Sequence, residues 1–357
     1  MPRRKLTEEQ KKEALEAFEK YGSNAKAARA LGINISTFTY RINTVHYPTN
    51  PVVDEISESS KIRTPDNLEM PSFVGMDEDL SANDILDHLQ KSFEKKRNYE
   101  KAQEWFHLKI NSNEPVGLAI VGDPHLGDNC NIDLLRADVK IMSETDGIMA
   151  VNIGDSTDNW GGRLIHLYSE STMSKSTERV LARWFLSEAN VPWVLWLHGN
   201  HDTMHTEFST YLKTIGCKQI PMMDWRARFK LIFPACEIRV DAAHNHKGTS
   251  IYNPLHGQKR AALWDENADI YVAGHHHNWS LTQEELQDGR VVWMGRARGY
   301  KYLDQFATRH GFPNHEYGAT VIFVIDPEGT SPTTRIQAFA DLKEGASYLK
   351  WKREKKR

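Results

Sequence analysis

A chain of 357 residues, 39% of them hydrophobic and ten of them Trp, can bury one large core with a smaller unit beside it. The formal charge of −3 is close to neutral and singles out no partner class. Three Cys (Cys130, Cys217, Cys236) with no CxxC pair exclude a disulfide framework and predict a reducing, cytoplasmic setting, and neither a signal peptide nor a membrane span is expected, since the start MPRRKLTEEQ is charged and no apolar run is long enough.

Residues 1–47 read as a small all-α unit. Thr7 is an N-cap with Gln10 three residues on, which predicts a capping box at the start of a helix that Gly22 ends. Leu15 and Phe18 share one face of it. In SNAKAARALGINISTFTYRI, Ala27, Ala28 and Leu31 line one side of a short helix and Gly32 makes the turn. Ser36 caps a further helix with Phe38 and Ile42 one turn apart. This is a helix-turn-helix layout, similar to units in phage and bacterial DNA-binding proteins. Between Ser23 and Asn43 stand three basic residues (Lys26, Arg29, Arg41) and no acid, so DNA is the expected partner.

Residues 48–80, rich in Pro, Ser and acids, read as a linker. Residues 81–112 read as a connecting amphipathic helix, with Ile85, Leu89 and Phe93, then Trp105 and Leu108, set to lie against the next domain. From 113 to 345 the pattern is α/β. Strand-like runs recur in VGLAIVG, GIMAVNIG, VPWVLWLHG, CEIRVDAAH, DIYVAGH, VVWMG and ATVIFVID, and their unbroken apolarity predicts sheets covered on both faces. Residues 346–357 end in KWKREKKR, read as a solvated, mobile basic tail.

The chemistry sits just past the strands. VGLAIV is followed by GDPHLGD (Asp123, His125), GIMAVNI by GDSTDN (Asp155, Asp158), and VPWVLWL by HGNHD (Asn200, His201, Asp202). CEIRVDAA is followed by His244 and then His246, and DIYVA by GHHHN (His275, His276, His277). Ligand sites in open α/β sheets gather at the carboxyl ends of strands, so the five groups are expected to converge. Converging carboxylates and imidazoles repel or lose solvation unless a cation joins them. Oxygen and imidazole donors suit Mn²⁺, Fe or Zn²⁺, and the donors are too many for one ion.

Asp-x-His, Gly-Asp-x-x-Asp, Gly-Asn-His-Asp, an isolated His and Gly-His-x-His, in that order from Asp123 to His277, resemble the calcineurin-like metallophosphoesterase superfamily. The stretch GYKYLDQFATRHGFPNHEYGATVIFVIDP is similar to the tail of phage-encoded members labelled DNA repair exonucleases, which also tend to carry an N-terminal helix-turn-helix. The resemblance implies a two-sheet β-sandwich flanked by helices. It implies two divalent ions, Mn²⁺ first, with Fe, Zn²⁺, Mg²⁺ or Ni²⁺ as alternatives. Asp123, His125 and His277 would hold one ion, Asp155 would bridge both, and Asn200, His244 and His275 would hold the other. His201, oriented by Asp158, would be the general acid in attack of a metal-activated hydroxide on phosphorus. The implied enzyme is a phosphodiesterase or nuclease acting on DNA. The alternatives are a phosphomonoesterase acting on a phosphoprotein or nucleotide, and a DNA-binding regulator with an inactive phosphoesterase domain. Assembly of identical chains is left open.

Other residues carry blander expectations. His246, and less so His256, compete with His244 for the isolated-His position, and HNHKG departs from the simple His-Gly form. His276 points away from its neighbours as a bystander, and His198 serves local hydrogen bonds. Asp202 forms the turn or supports the ligands from behind. Trp184, Trp193, Trp196 and Trp264 belong to the core, while Trp160 and Arg163 sit on a loop.

Overall fold

The computed structural model describes residues 7–21, 24–34, 37–38, 41, 81–102, 105–216, 220–265, 267–302 and 317–356. The expected linker at 48–80, the Ser36 cap, Ile42, Cys217 and residues 303–316 of the C-terminal stretch lie outside them, as do the side chains of Leu15, Phe18 and Arg163. The chain divides into two compact units, Met1–Asp54 and Glu55–Arg357.

In the first unit the helices are α1 (Glu8–Tyr21) and α2 (Asn24–Ala30). Thr7 and Gln10 form the reciprocal capping box. The Thr7 N–H donates to Gln10 Oε1 and the Gln10 N–H to Thr7 Oγ1, both at 3.2 Å. Ala14 and Ala17 of α1 bury against Ala27, Ala28 and Phe38, with Leu31 and Ile33 partly covered. Small residues at the contact let the two helices approach closely. Arg41 donates to Glu13 Oε2 at 3.1 Å with its own side chain largely covered. It therefore ties the unit together and is not an outward phosphate contact, whereas Lys26 and Arg29 are exposed.

In the second unit, α3 (Ala82–Ala102) is followed by β1 (Phe106–Lys109) and β2 (Val116–Val121). Then come α4 (Ile132–Glu144), β3 (Ile148–Asn152), α5 (Lys175–Arg183) and β4 (Trp193–His198). The turn-length α6 (Asn200–Thr203), α7 (Thr206–Ile215) and the strands β5 (Met222–Asp224), β6 (Arg226–Ile232) and β7 (Glu237–Ala243) follow. After α8 (His256–Trp264) come β8 (Ile270–Ala273), β9 (Ser280–Glu285), β10 (Val291–Arg296) and β11 (Thr320–Ile325). The last elements are α9 (Pro332–Arg335), β12 (Ile336–Phe339) and α10 (Leu342–Lys356).

The strands form two mixed six-stranded sheets, ordered β12-β11-β2-β3-β4-β5 and β1-β6-β7-β8-β10-β9. Phe323 of the first meets Trp293 and Gly295 of the second, so the sheets face each other as a sandwich. By alternation Ala119 and Val121 turn outward, where they join Leu135, Met142, Phe185, Leu212 and Leu349 in a helix-covered layer. The helix α8 covers the second sheet, with Ala261 and Ala262 packed on Tyr271, Val292 and Met294. β2, β3, β4, β8 and β11 are buried along their whole length, which is why they read as unbroken apolar runs. The expected α/β sandwich flanked by helices is the observed fold. No helix among the described residues is long and apolar enough to cross a membrane.

Four expectations change. The helix expected over 81–112 stops at Ala102, because Phe106–Lys109 pairs in parallel with Phe229–Ile232 of β6 and buries Leu108. Leu89 and Phe93 of α3 are exposed and do not lie against the domain. The basic end is a packed helix. Leu349 is fully buried, Arg353 donates to the Pro115 carbonyl and to Asp146, and Lys352 and Lys356 pair with Asp326. Trp264 is 71% exposed with Arg260 over its ring, whereas Trp193 and Trp196 are core and Trp184 packs at its edge.

Candidate metal centre

β2, β3 and β4 run parallel in one sheet, and β7 and β8 run parallel in the other. Their carboxyl ends meet at one rim of the sandwich, and the five sequence blocks meet there with them. Ligand atoms of Asp123, His125 and His277 lie within 4.8 Å of one another, as do those of Asp155, His244 and His275, and those of His125, Asp155 and His201. Asn200 joins the second group, its Oδ1 2.9 Å from His244 Nε2.

The backbone deforms to bring them together. Asp123, His125, Asp155, His275 and His277 all have positive φ, between 43° and 69°. Each such non-glycine residue costs about 1–3 kcal/mol, and such strain clusters at functional sites. Gly154 and Gly199 permit the closest approach. A Cβ on Gly154 would stand 2.5 Å from the Gly199 nitrogen and 2.8 Å from His244 Nδ1. Asp202, fully buried, holds two of the loops by accepting the N–H groups of Asp155 (2.8 Å), Ser156 (3.0 Å) and Gly199 (2.9 Å). It thus does both things the sequence left open, turning its own loop and supporting Asp155.

Four of the candidate donors are aimed by neighbours. Asp123 Oδ2 accepts the His275 N–H at 2.7 Å, while its Oδ1 is buried with no hydrogen-bond partner. His125 Nδ1 is 2.8 Å from Asp158 Oδ1, and its Nε2 is likewise buried and unpartnered. Asp155 Oδ1 accepts the His201 N–H at 2.8 Å, which leaves Oδ2 between His125 Nε2 (3.7 Å) and His244 Nε2 (3.3 Å). His244 Nδ1 donates to the Ile153 carbonyl at 2.9 Å. A neutral His244 therefore turns a bare Nε2 toward Asn200 Oδ1 and Asp155 Oδ2, three lone pairs with no proton among them.

Protonation shows the same deficit of positive charge. Burial pushes the Asp123 carboxyl up to about 8. Burial opposes a charged His244, but Asp155 and Asp123 overcome it and raise the imidazole to about 9. Burial would also raise Asp155, yet His244, His201 and His125 hold it well below the carboxylate range. Burial, with Lys301, lowers His125 far below its usual value and His277 to about 3, and burial with His244 lowers His275 to about 4. The protein groups alone thus gather protons on Asp123 and His244, where cations would satisfy the same lone pairs. Unpartnered acceptors, neutral imidazoles and an O/N donor set fit divalent ions.

The remaining predicted residues fall as follows. His201 Nδ1 contacts the Asp158 backbone carbonyl at 2.5 Å, and its ring stands edge-on to His125 and Trp160. Asp158 therefore meets His201 through its main chain, while its carboxylate faces His125 and Lys301 Nζ (2.9 Å). His246 is drawn to Asp241 (3.2 Å), which also takes Arg226, so it stands outside the three groups. His256 is exposed, His276 stands edge-on to His275 outside the groups, and His198 pairs with Asp224 at 2.7 Å. Lys301, over the Trp160 ring at 4.6 Å, and Trp225, edge-on to His244, escaped the sequence reading. Neither belongs to a polar block at a strand end, though an aromatic alone between two strands is a readable oddity.

No family model and no curated protein matches the sequence. Solved structures do. The calcineurin-like phosphoesterase YfkN from Bacillus subtilis is similar at 9% identity over 68% of this chain and 97% of that one, TM-score 0.36. A metallophosphoesterase from Sphaerobacter thermophilus is similar at 14% identity over 64% and 88%, TM-score 0.31. Vacuolar Protein Sorting 29 from Cryptosporidium parvum is similar at 12% identity over 64% and 100%, TM-score 0.31. The His/Asp groups at the strand ends could hold metal ions.

Proposed function

We propose that this protein is a dinuclear-metal phosphodiesterase that hydrolyses DNA. The observation that carries the reading is the convergence of His244 Nε2, Asn200 Oδ1, His275 Nδ1 and Asp155 Oδ2, each of the last three within 3.3 Å of His244 Nε2, beside the buried, unpartnered Asp123 Oδ1 and His125 Nε2. Asp123, His125 and His277 would hold one ion, Asn200, His244 and His275 the other, with Asp155 common to both. When bound, such a pair supplies a nucleophile at neutral pH and absorbs negative charge at phosphorus.

The chain's own residues do the rest. The Asp158 carboxylate accepts the His125 Nδ1–H, which fixes the tautomer that presents Nε2. The Ile153 carbonyl does the same for His244. His201 donates a proton to the leaving oxygen. Its Nδ1–H rests on the Asp158 carbonyl in both protonation states, so Nε2 carries the transferred proton. Asn200 is a neutral donor that limits negative charge in its group. Exposed Lys26 and Arg29 on α2 support DNA as the polymer.

The test is a substrate panel under a Mn²⁺ titration, comprising bis-p-nitrophenyl phosphate, the monoester, and single- and double-stranded DNA. Turnover of the diester and DNA is expected, and activity confined to the monoester overturns the reading. Deleting residues 1–47 is expected to weaken DNA affinity and flatten its salt dependence.

A further inference from the structure

Trp225 is the single residue between β5, at the edge of one sheet, and β6, in the other. Its backbone is left-handed, with φ 66°. Gly or Asn would make this crossover more cheaply, since a bulky side chain at positive φ is strained. Packing does not offset the strain, because the residue is 42% exposed.

The ring is nonetheless pinned. The Trp225 N–H donates to the His198 carbonyl (3.0 Å), the Trp225 carbonyl accepts the His244 N–H (2.7 Å), and the indole N–H donates to the Asn245 carbonyl (3.1 Å). The ring centroid lies 5.1 Å from that of His244, near-perpendicular, and 6.2 Å from that of His275. A rigid aromatic surface thus borders the second donor group. Its only hydrogen-bonding atom is already used, so it offers a π-face and nothing else. Trp160, on the other flank beside His201, is buried beneath Lys301 and has no face to offer.

We infer that Trp225 is a stacking platform for a nucleobase of the strand whose phosphate lies over the cluster. The inference rests on the phosphodiesterase reading and adds the substrate's base as a recognised element. A planar ring tethered to a phosphate suits a fixed aromatic face next to a phosphate-handling centre. Recognition by stacking, with the indole N–H occupied, is tolerant of base identity.

The experiment compares wild type, Trp225→Ala and Trp225→Phe, all Mn²⁺-loaded, on a short single-stranded oligodeoxynucleotide and on the same strand built from abasic residues. The readout is the ratio of kcat/KM for the two, with KM and kcat resolved separately. A second arm measures affinity for both strands by fluorescence anisotropy in a His201→Ala background. Wild type is expected to favour the base-bearing strand roughly ten-fold. Trp225→Ala should bring the ratio near one through KM, Trp225→Phe should keep most of it, and the four homopolymers should behave alike. A ratio that Ala retains, or a wild type indifferent to bases in both arms, overturns the inference. If wild type cleaves neither strand, the phosphodiesterase reading fails on DNA, and the anisotropy arm still decides whether Trp225 holds bases.

Discussion

In the N-terminal unit Thr7 and Gln10 cap α1 as local rules dictate, and Ala meets Ala where two helices touch. At the strand ends five candidate ligands sit in a backbone conformation that their side chains disfavour. The first region is built from residues doing what they do in isolation. The second is built against propensity and stands because neighbours hold it, Asp202 by gripping three N–H groups and Asp123 by gripping the His275 N–H. A fold tolerates such strain where the side chains serve a ligand, and the difference between the regions marks where the chemistry lies.

The sharpest way to break this contrast is to remove a residue with a chemical role and no strain. His201 has ordinary helical backbone within α6 and contacts the cluster from the side. His201→Ala is expected to lower kcat by about 10²–10⁴-fold while the protein keeps its metal, as measured by steady-state kinetics and elemental analysis on the same sample. Turnover that survives would reassign the proton donor.

Asp138 offers a control, a buried carboxyl that belongs to none of the three donor groups. Burial pushes it up to about 7, although the Tyr300 hydroxyl donates to it at 2.6 Å. Its folded value lies above its unfolded one. The associated stability is therefore fully present below about pH 4 and is lost as pH rises through 7. Asp138→Asn should gain on the order of 2–4 kcal/mol over wild type at pH 8 and almost nothing at pH 4, by urea denaturation. An equal gain at both pH values would show that Asp138 is not protonated in the folded state.

Asp158 tests whether aim, as distinct from ligation, matters at the cluster. Its carboxylate touches His125 and Lys301 and belongs to none of the three donor groups. Asp158→Ala should cost about 10–100-fold in metal affinity or activity through misorientation of His125. Unchanged metal affinity and kcat together would show that His125 needs no such support.

The legibility of the two regions follows the same divide. The capping box, the buried strands β2, β3, β4, β8 and β11, and the five polar blocks could be read because each depends on residue types within a few positions. The strain could not be read, since Asp and His tolerate positive φ better than most residues yet adopt it at only a minority of their positions. β1 is not legible because its pairing with β6 spans about a third of the chain, and β6 itself carries a plain alternation, RARFKLI, among basic residues. The last helix looked like a solvated tail because Lys352, Arg353 and Lys356 find acids and carbonyls only after folding. The sequence pairs Asp158 with His201, whereas the contact in the structure runs through the Asp158 main chain, a distinction that sequence does not carry.

The strain itself can be weighed at His277, which has φ 49° and is only partly buried. His277→Gly removes a candidate ligand and relaxes the backbone in one step. In chelator-treated protein the variant should match or exceed wild type by about 1 kcal/mol, the relief of strain outweighing glycine's extra entropy. With Mn²⁺ added the order should invert, because wild type gains binding energy that the variant lacks. Thermal unfolding with and without the ion reads both signs, and a variant less stable than wild type in chelator would show that the left-handed residue is not strained.

The smallest expected effect lies in the relaxed region. Thr7→Ala removes the side chain that accepts the Gln10 N–H and leaves one orphan donor at the start of α1. The site is exposed, so water satisfies that donor and the loss stays near the lower end of the range for cap removal, about 0.5–1 kcal/mol. Because α1 supplies Ala14 and Ala17 to the buried contact with α2, the loss should appear as faster amide exchange across both helices, with no change in turnover of bis-p-nitrophenyl phosphate. A drop in that turnover would show that the first unit reaches the strand-end chemistry, and the two regions would then no longer be separable by the rules that built them.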